Sequence, residues 1–189
     1  MNDLLESDSK TIQLPIVVKK TREKKRDPIS KKRIITHQLK WVNNITNDDI
    51  QFTGQLVFLV DRNESNKVDE DDNPKKSIML RELRRKIEGY RHQDMLKNIF
   101  DNSKFVDLDH VLQMLRVCDE KCFYCKESVK ILYDVARDPK QWTLERIFNE
   151  KGHNKDNVEI ACLSCNIKRR TMYYEKYRFT KQVKFVKEL

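Results

Sequence analysis

The sequence predicts an α+β protein: a zinc-stabilised ββα module preceded by a mainly helical region and a disordered basic N-terminal arm. Three observations predict it. Four cysteines fall as two C-x-x-C pairs, Cys122/Cys125 and Cys162/Cys165, around a 36-residue insert that contains short β-like runs. Apolar residues at helical spacing lie ahead of the first pair. Basic residues crowd the first forty positions. On these grounds the chain divides into a basic arm (1–40), a mainly helical module with one short strand (41–117), the zinc module (118–172) and a basic C-terminal extension (173–189).

Of the 189 residues, 38% are hydrophobic and 37% charged, so the core must be modest and something besides burial should help to hold it. No run of about 18 apolar residues occurs, which argues against a membrane span. The opening residues Met1, Asn2, Asp3, Leu4, Leu5 and Glu6 lack the basic start and apolar stretch of a secretory signal. A soluble, intracellular, non-secreted protein is expected. The net charge of +9 is unevenly spread: residues 10–40 hold 11 Lys/Arg against two acids, and residues 168–187 hold eight against one. Arms of this kind attract polyanions, because each neutralised phosphate releases condensed counterions. The blander alternative is a solvated tail.

Along the arm, the clusters at 19–26 and 31–33 suit either a nuclear-import signal or a phosphate-binding arm, and composition does not separate the two. Residues 55–60 form a short apolar run that suits a buried strand. Residues 61–76 are polar and read as a loop ending in Asn73-Pro74. A long helix is expected from Ser77, with Met79, Leu83, Ile87 and Tyr90 on one face and Leu96, Ile99 and Phe100 extending it. Basic residues between them read as a solvated face or a DNA-backbone contact. A shorter helix follows Asp107 or Asp109, with Val111, Leu112 and Leu115 inward.

Two C-x-x-C knuckles closing one tetrahedral site are a strong signature of structural zinc, since each tight turn presents two thiolates. Disulfides fit poorly with a reducing compartment, and a thioredoxin-like motif would explain one pair but not both. Four thiolates leave no open position for water, so this metal should hold the fold and do no chemistry. Cys118 is expected to be a small buried hydrophobe. Within the insert, residues 129–135 and 141–147 read as two strands of a hairpin, with the turn at Arg137, Asp138, Pro139 and Lys140. A polar loop (149–157), a short strand (158–161) and a helix opening at Asn166 complete the unit.

The stretch from Trp142 through Glu145, Arg146, Gly152, His153, Asn157 and Val158 to Cys165-Asn166 resembles the HNH, or ββα-metal, endonucleases. It is most similar to the zinc-stabilised branch that includes the recombination endonuclease VII type and to HNH-domain proteins of large DNA viruses. The resemblance covers residues 118–172, with a fainter likeness at residues 89–94. It implies magnesium- or manganese-dependent hydrolysis of DNA phosphodiesters. The metal ligands correspond to Glu145 and Asn166, and Asn157 to the residue that ties the loop and orients the base. Three positions depart from the pattern. Glu145 stands where Asp is usual. Arg146 stands where the base His is usual, and a guanidinium accepts no proton near neutral pH but binds phosphate bidentately. Phe148 replaces a second Asp. His153, the one imidazole in the motif, then either supplies the base from the loop or is a loop residue, near DNA or simply exposed.

The same resemblance places Lys168, Arg169 and Arg170 against the nucleic-acid backbone. Tyr173, Tyr174, Tyr177 and Phe179 either stack on bases or simply pack. Resolvase-type relatives work as dimers, so a homodimer is left open. For a viral protein the compartment would be the nucleus or cytoplasm of the host cell. The expected function is a metal-dependent DNA endonuclease, with nicking, double-strand cutting and junction resolution all open. The alternatives are a catalytically impaired nucleic-acid-binding protein on the same scaffold and a structural protein whose arm condenses DNA.

Overall fold

The structure, a computed structural model, describes residues 31–59 and 73–183. The basic cluster at 19–26, the polar stretch 61–72 and residues 184–189 lie outside them. Among the described residues the chain is mixed α/β, with six α-helices and one two-stranded antiparallel sheet.

Residues 31–40, which composition reads as the end of a disordered arm, are docked through Arg33 and Ile35, although most of their side chains are exposed. Arg33 N–H donates to Asp134 O at 2.7 Å, Ala136 N–H donates to Lys31 O at 2.7 Å, and Lys32 bridges Val135. The Arg33 guanidinium pairs with Glu82, donates to Tyr133 O and lies 4.2 Å over the Tyr133 ring. A composition average misses such anchors, because one well-partnered arginine and the buried Ile35 suffice to dock the strand-like segment. Two short helices follow. Helix α1 (Leu39–Val42) buries Trp41, and α2 (Asn47–Gln51) starts from a capping box in which Thr46 and Asp49 satisfy each other's backbone N–H.

The strand expected at 55–60 is instead a 3-10 turn, Gln55–Leu59. The physical reason lies in where its donors go. The N–H groups of Gln55 and Leu56 both reach the Glu120 carboxylate, at 2.8 and 2.9 Å, so no partner strand is needed. The fully buried Gln55 side chain in turn accepts from Ile131 and Leu132 N–H at 2.7 Å each and donates to Asp49 O at 2.9 Å.

Helix α3 (Pro74–Leu96) begins three residues before Ser77, because Asn73 caps it by accepting from Lys76 N–H and Pro74 needs no donor partner in the first turn. Met79, Leu83, Ile87 and Tyr90 are buried as the spacing predicts. The face then continues to Asp94, not to Leu96, which is 71% exposed. Ile99 and Phe100 lie beyond the helix end, past Asn98 in the left-handed region (φ 55). Helix α4 (Leu108–Val117) is capped by Asp107, with Val111 and Leu115 buried and Leu112 half-buried. Cys118 is half-buried, its thiol donating to Leu115 O, a correction to the fully buried position expected for it.

The sheet pairs β1 (Trp142–Arg146) with β2 (Val158–Cys162), with Trp142 opposite Cys162 and Arg146 opposite Val158. Residues 129–135 do not form its other strand. Val129, Ile131, Leu132 and Tyr133 are buried, but the Ile131 and Leu132 N–H groups are taken by Gln55, and ladder-like pairing survives only where Lys130 bridges Gln141. Helix α5 (Leu163–Arg169) opens three residues before Asn166, because the Cys162 sulfur caps it. Helix α6 (Tyr174–Gln182) closes the fold. One hydrophobic core runs from Ile35 to Tyr177, so the helical region and the cysteine module share an interior.

Candidate metal centre and adjoining cleft

The first knuckle is a tight turn in which Lys126 N–H donates to Cys122 O and Cys122 N–H to Glu127 O, with Lys126 left-handed (φ 62). Phe123 N–H donates to Ile160 O at 2.7 Å, which fastens this knuckle to β2. The second knuckle straddles the β2–α5 junction, where Cys165 N–H donates to the Cys162 sulfur at 3.4 Å. The four sulfurs all lie within 4.8 Å of one another, and those of Cys125 and Cys162 are 3.9 Å apart. Tetrahedral zinc with bonds of about 2.3 Å would set its sulfurs about 3.8 Å apart, so the donor set and its spacing fit zinc. Contact with the Cys162 and Cys165 thiols pulls the Cys122 thiol far below the ordinary range, while contact with Cys122 raises Cys162 to about 12 and drives Cys165 higher still. Sulfurs this close cannot all ionise without a cation among them. The cluster can therefore hold a metal such as zinc.

Residues of β1 and α5 also line a cleft of about 510 Å³. Glu145 lies in its wall, 3% exposed. The Arg169 guanidinium pairs with Glu145 Oε1 and also donates to Arg146 O, Asn149 Oδ1 and Met172 O. Burial pushes the Glu145 carboxyl up to about 7, against the pull of Arg169. Asn166 donates from Nδ2 to Thr143 Oγ1 at 3.2 Å and Leu144 O at 3.4 Å, which seats it beside the same strand. Arg146 reaches from the end of β1 to the carbonyls of Asn149 and Lys151 and lines the cleft. Lys86 enters from α3, between Gln141 Oε1, Trp142 O and the Tyr133 and Trp142 rings, and burial lowers its amine to about 7. Lys97 and Arg170 complete the cationic lining.

His153 also lines this cleft, 4% exposed, with its ring centroid 4.5 Å from that of Tyr90. Its Nδ1 is 2.7 Å from Asp94 Oδ1, and its backbone N–H donates to Asp94 Oδ2 at 2.5 Å. Asn157 does not line the cleft. It accepts from Phe148 N–H and donates to Phe148 O and Gly152 O, and so ties the loop just ahead of His153.

Of the residues singled out in the sequence, Glu145, Arg146, His153, Asn166, Arg169 and Arg170 share one cleft. Lys168 and Arg170 are exposed, but Arg169 is 4% exposed and bound internally, so it is no surface cation. Tyr177 is buried against Tyr124, whereas Tyr173 and Phe179 are exposed. From sequence, Lys86 and Lys97 are expected only on a solvated face or at a DNA-backbone contact, and no site role is assigned to Asp94 or Tyr90. For Asp94 a signal existed: it continues the buried stripe of α3, where an acid is out of place unless partnered.

The resemblance assigns Glu145 and Asn166 to a magnesium site, and in the structure Glu145 is paired with Arg169 while Asn166 donates to Thr143 and Leu144. The sole carboxylate between them is buried against a guanidinium, and the cysteine cluster is the one group of three or more metal-ligating side chains among the described residues. No described helix is long and apolar enough to cross a membrane. No protein-family model matches the chain, and neither does any curated protein or solved structure.

Proposed function

We propose that the chain is a zinc-stabilised endonuclease of the HNH type, acting on DNA. One observation carries the reading: Arg146 on β1, His153 in the loop and Asn166 on α5 line a single cation-rich cleft beside the cysteine cluster. Lys97, Arg146 and Arg170 supply positive charge for backbone phosphates. His153 supplies a base, and Arg146 a guanidinium for charge that develops on the phosphate. Zinc holds β2, α5 and the first knuckle together and takes no part in the reaction.

Nicking of supercoiled plasmid, with magnesium, manganese or EDTA, tests this. The wild type is expected to nick, and His153→Ala to lose roughly 10²–10⁴-fold in rate. Equal residual nicking in wild type, Glu145→Ala and His153→Ala would identify a contaminant and remove the enzymatic reading. The Glu145–Arg169 pair favours a second reading, a non-catalytic DNA-binding protein, since the carboxylate that the resemblance assigns to metal already has its cation. Salt-sensitive DNA binding without cleavage under any of the three conditions would select that reading.

A further inference from the structure

Asp94 has both carboxylate oxygens committed to one residue 59 positions away. Oδ2 takes the His153 N–H at 2.5 Å and Oδ1 meets Nδ1 at 2.7 Å, with Asp94 itself fully buried. Burying a carboxylate without a charged or hydrogen-bonded partner costs several kcal/mol, so this contact must be well made for the fold to persist. The chain makes room for it at Gly152. A Cβ there would lie 2.8 Å from Asp94 Oδ2 and 2.6 Å from Ile99 O, closer than carbon atoms pack. Asn157, holding Gly152 O at 3.0 Å, and Val106 N–H, donating to His153 O at 3.1 Å, fix the loop on either side. Tyr90 packs on the imidazole face, one turn of α3 before Asp94.

These restraints leave one atom of the ring uncommitted. With Nδ1 donating to the carboxylate, Nε2 carries the lone pair. It makes no hydrogen bond to the described residues, and the ring lines the cationic cleft. A purely structural histidine at such a site would be expected to engage both nitrogens or to turn its free edge into the core.

We propose that Asp94 is the positioning residue of an Asp94–His153 dyad, fixing the imidazole so that Nε2 accepts a proton from water in the cleft. The proposal rests on the hydrolytic reading above and adds a contribution from α3, outside the cysteine module. In the step it serves, Nε2 takes a proton from water and the water oxygen bonds to phosphorus. The bond from phosphorus to the departing sugar oxygen breaks, and that oxygen takes a proton from solvent. His153 then returns its proton to solvent. Asp94 keeps its hydrogen bond to Nδ1 throughout and steadies the imidazolium while it exists.

The charged and titratable groups facing His153 are Asp94 and Tyr90 from α3, Lys97 just beyond that helix, and Arg146 from β1. Burial lowers the imidazole below its ordinary value and Asp94 opposes that shift. Removing the Asp94 charge should therefore move the acidic limb of the rate–pH profile to lower pH while lowering its plateau.

The test is plasmid nicking by the full chain, wild type beside Asp94→Asn, with ¹⁵N-histidine NMR on the wild type. In Asp94→Asn, kcat is expected to fall roughly 10²-fold or more, with KM changed by less than about threefold and the acidic limb displaced downward. Bound zinc should stay at about one per chain. In wild type the His153 spectrum should show Nδ1–H and an unprotonated Nε2. An Asp94→Asn variant with the wild-type rate and pH limb overturns the dyad and leaves hydrolysis standing. A wild type that nicks nothing overturns both. Should Asp94→Asn fail to fold, the NMR decides: an Nε2–H tautomer overturns the dyad.

Discussion

The cysteine cluster and the Glu145 cleft both adjoin the small sheet and meet electrostatic demands in opposite ways. The cluster gathers four sulfurs with no internal cation, so its charge is balanced only when a metal enters. The cleft gathers cations around one buried carboxylate and balances that carboxylate with Arg169. The first site is thus built around something from outside the chain, and the second has supplied its own counter-ion. A divalent metal and a guanidinium are alternative answers to one buried negative charge. The cysteine cluster is suited to the first answer, and Glu145 has taken the second, as Glu82 has from Arg33.

The comparison can be broken most forcefully at the cysteines. Cys122→Ser should take bound zinc from about one per chain to near zero, and chelation of the wild type should do the same. Thermal unfolding should fall by roughly 10 °C or more, since the knuckles tie β2 and α5 to the core. Retained stability after complete metal loss would show that the core holds without it. Next in size is Arg169→Met, which leaves Glu145 buried without its counter-ion and should cost about 3–5 kcal/mol. The sign with pH is determinate. Glu145 is a carboxyl with its folded pKa raised to about 7 from 4.5, so it favours folding at low pH and loses that contribution as pH rises through this window. Arg169→Met should raise it further. Denaturant unfolding should therefore find the variant more impaired at pH 8 than at pH 5, and Arg169→Met/Glu145→Gln partly rescued. Equal loss at both pH values would mean that Arg169 acts through packing alone.

Gly152→Ala brings a Cβ against Asp94 and Ile99 and should cost about 1–3 kcal/mol, as overpacking does. Chemical denaturation measures it, and a neutral result would show that the loop yields easily. The smallest effect is on the exposed rim. Arg170→Ala should weaken DNA binding uniformly across sequences and reduce the logarithmic salt slope by about one, measured by anisotropy at several salt concentrations. An unchanged slope would place the phosphate path elsewhere.

The local signals proved readable to different depths. Met79, Leu83, Ile87 and Tyr90 are buried because a helix repeats its face every three to four residues, whatever surrounds it. The apolar character of residues 129–135 places Val129, Ile131, Leu132 and Tyr133 inward, whereas within Gln55–Leu59 the buried side chain is the polar Gln55 and Val57 is exposed; neither segment is a strand. An apolar run favours burial, and its backbone conformation depends on which donors and acceptors lie opposite. For these two segments the partners were Glu120 and Gln55, side chains that supplied what a strand would have supplied. The helix starts at Pro74 and Leu163 lie three residues ahead of Ser77 and Asn166, because Asn73 and the Cys162 sulfur act as the caps.

By itself the sequence determined the two cysteine knuckles and the inward face of α3. Each depends on spacings of a few residues, over which backbone geometry alone dictates what meets. Tertiary structure decided the partners of the charged groups: Asp94 for His153, Arg169 for Glu145, Glu82 for Arg33. An unpaired buried charge is costly enough to demand a partner, but the demand does not say which one. That choice falls to whichever opposite charge the packed core brings within reach.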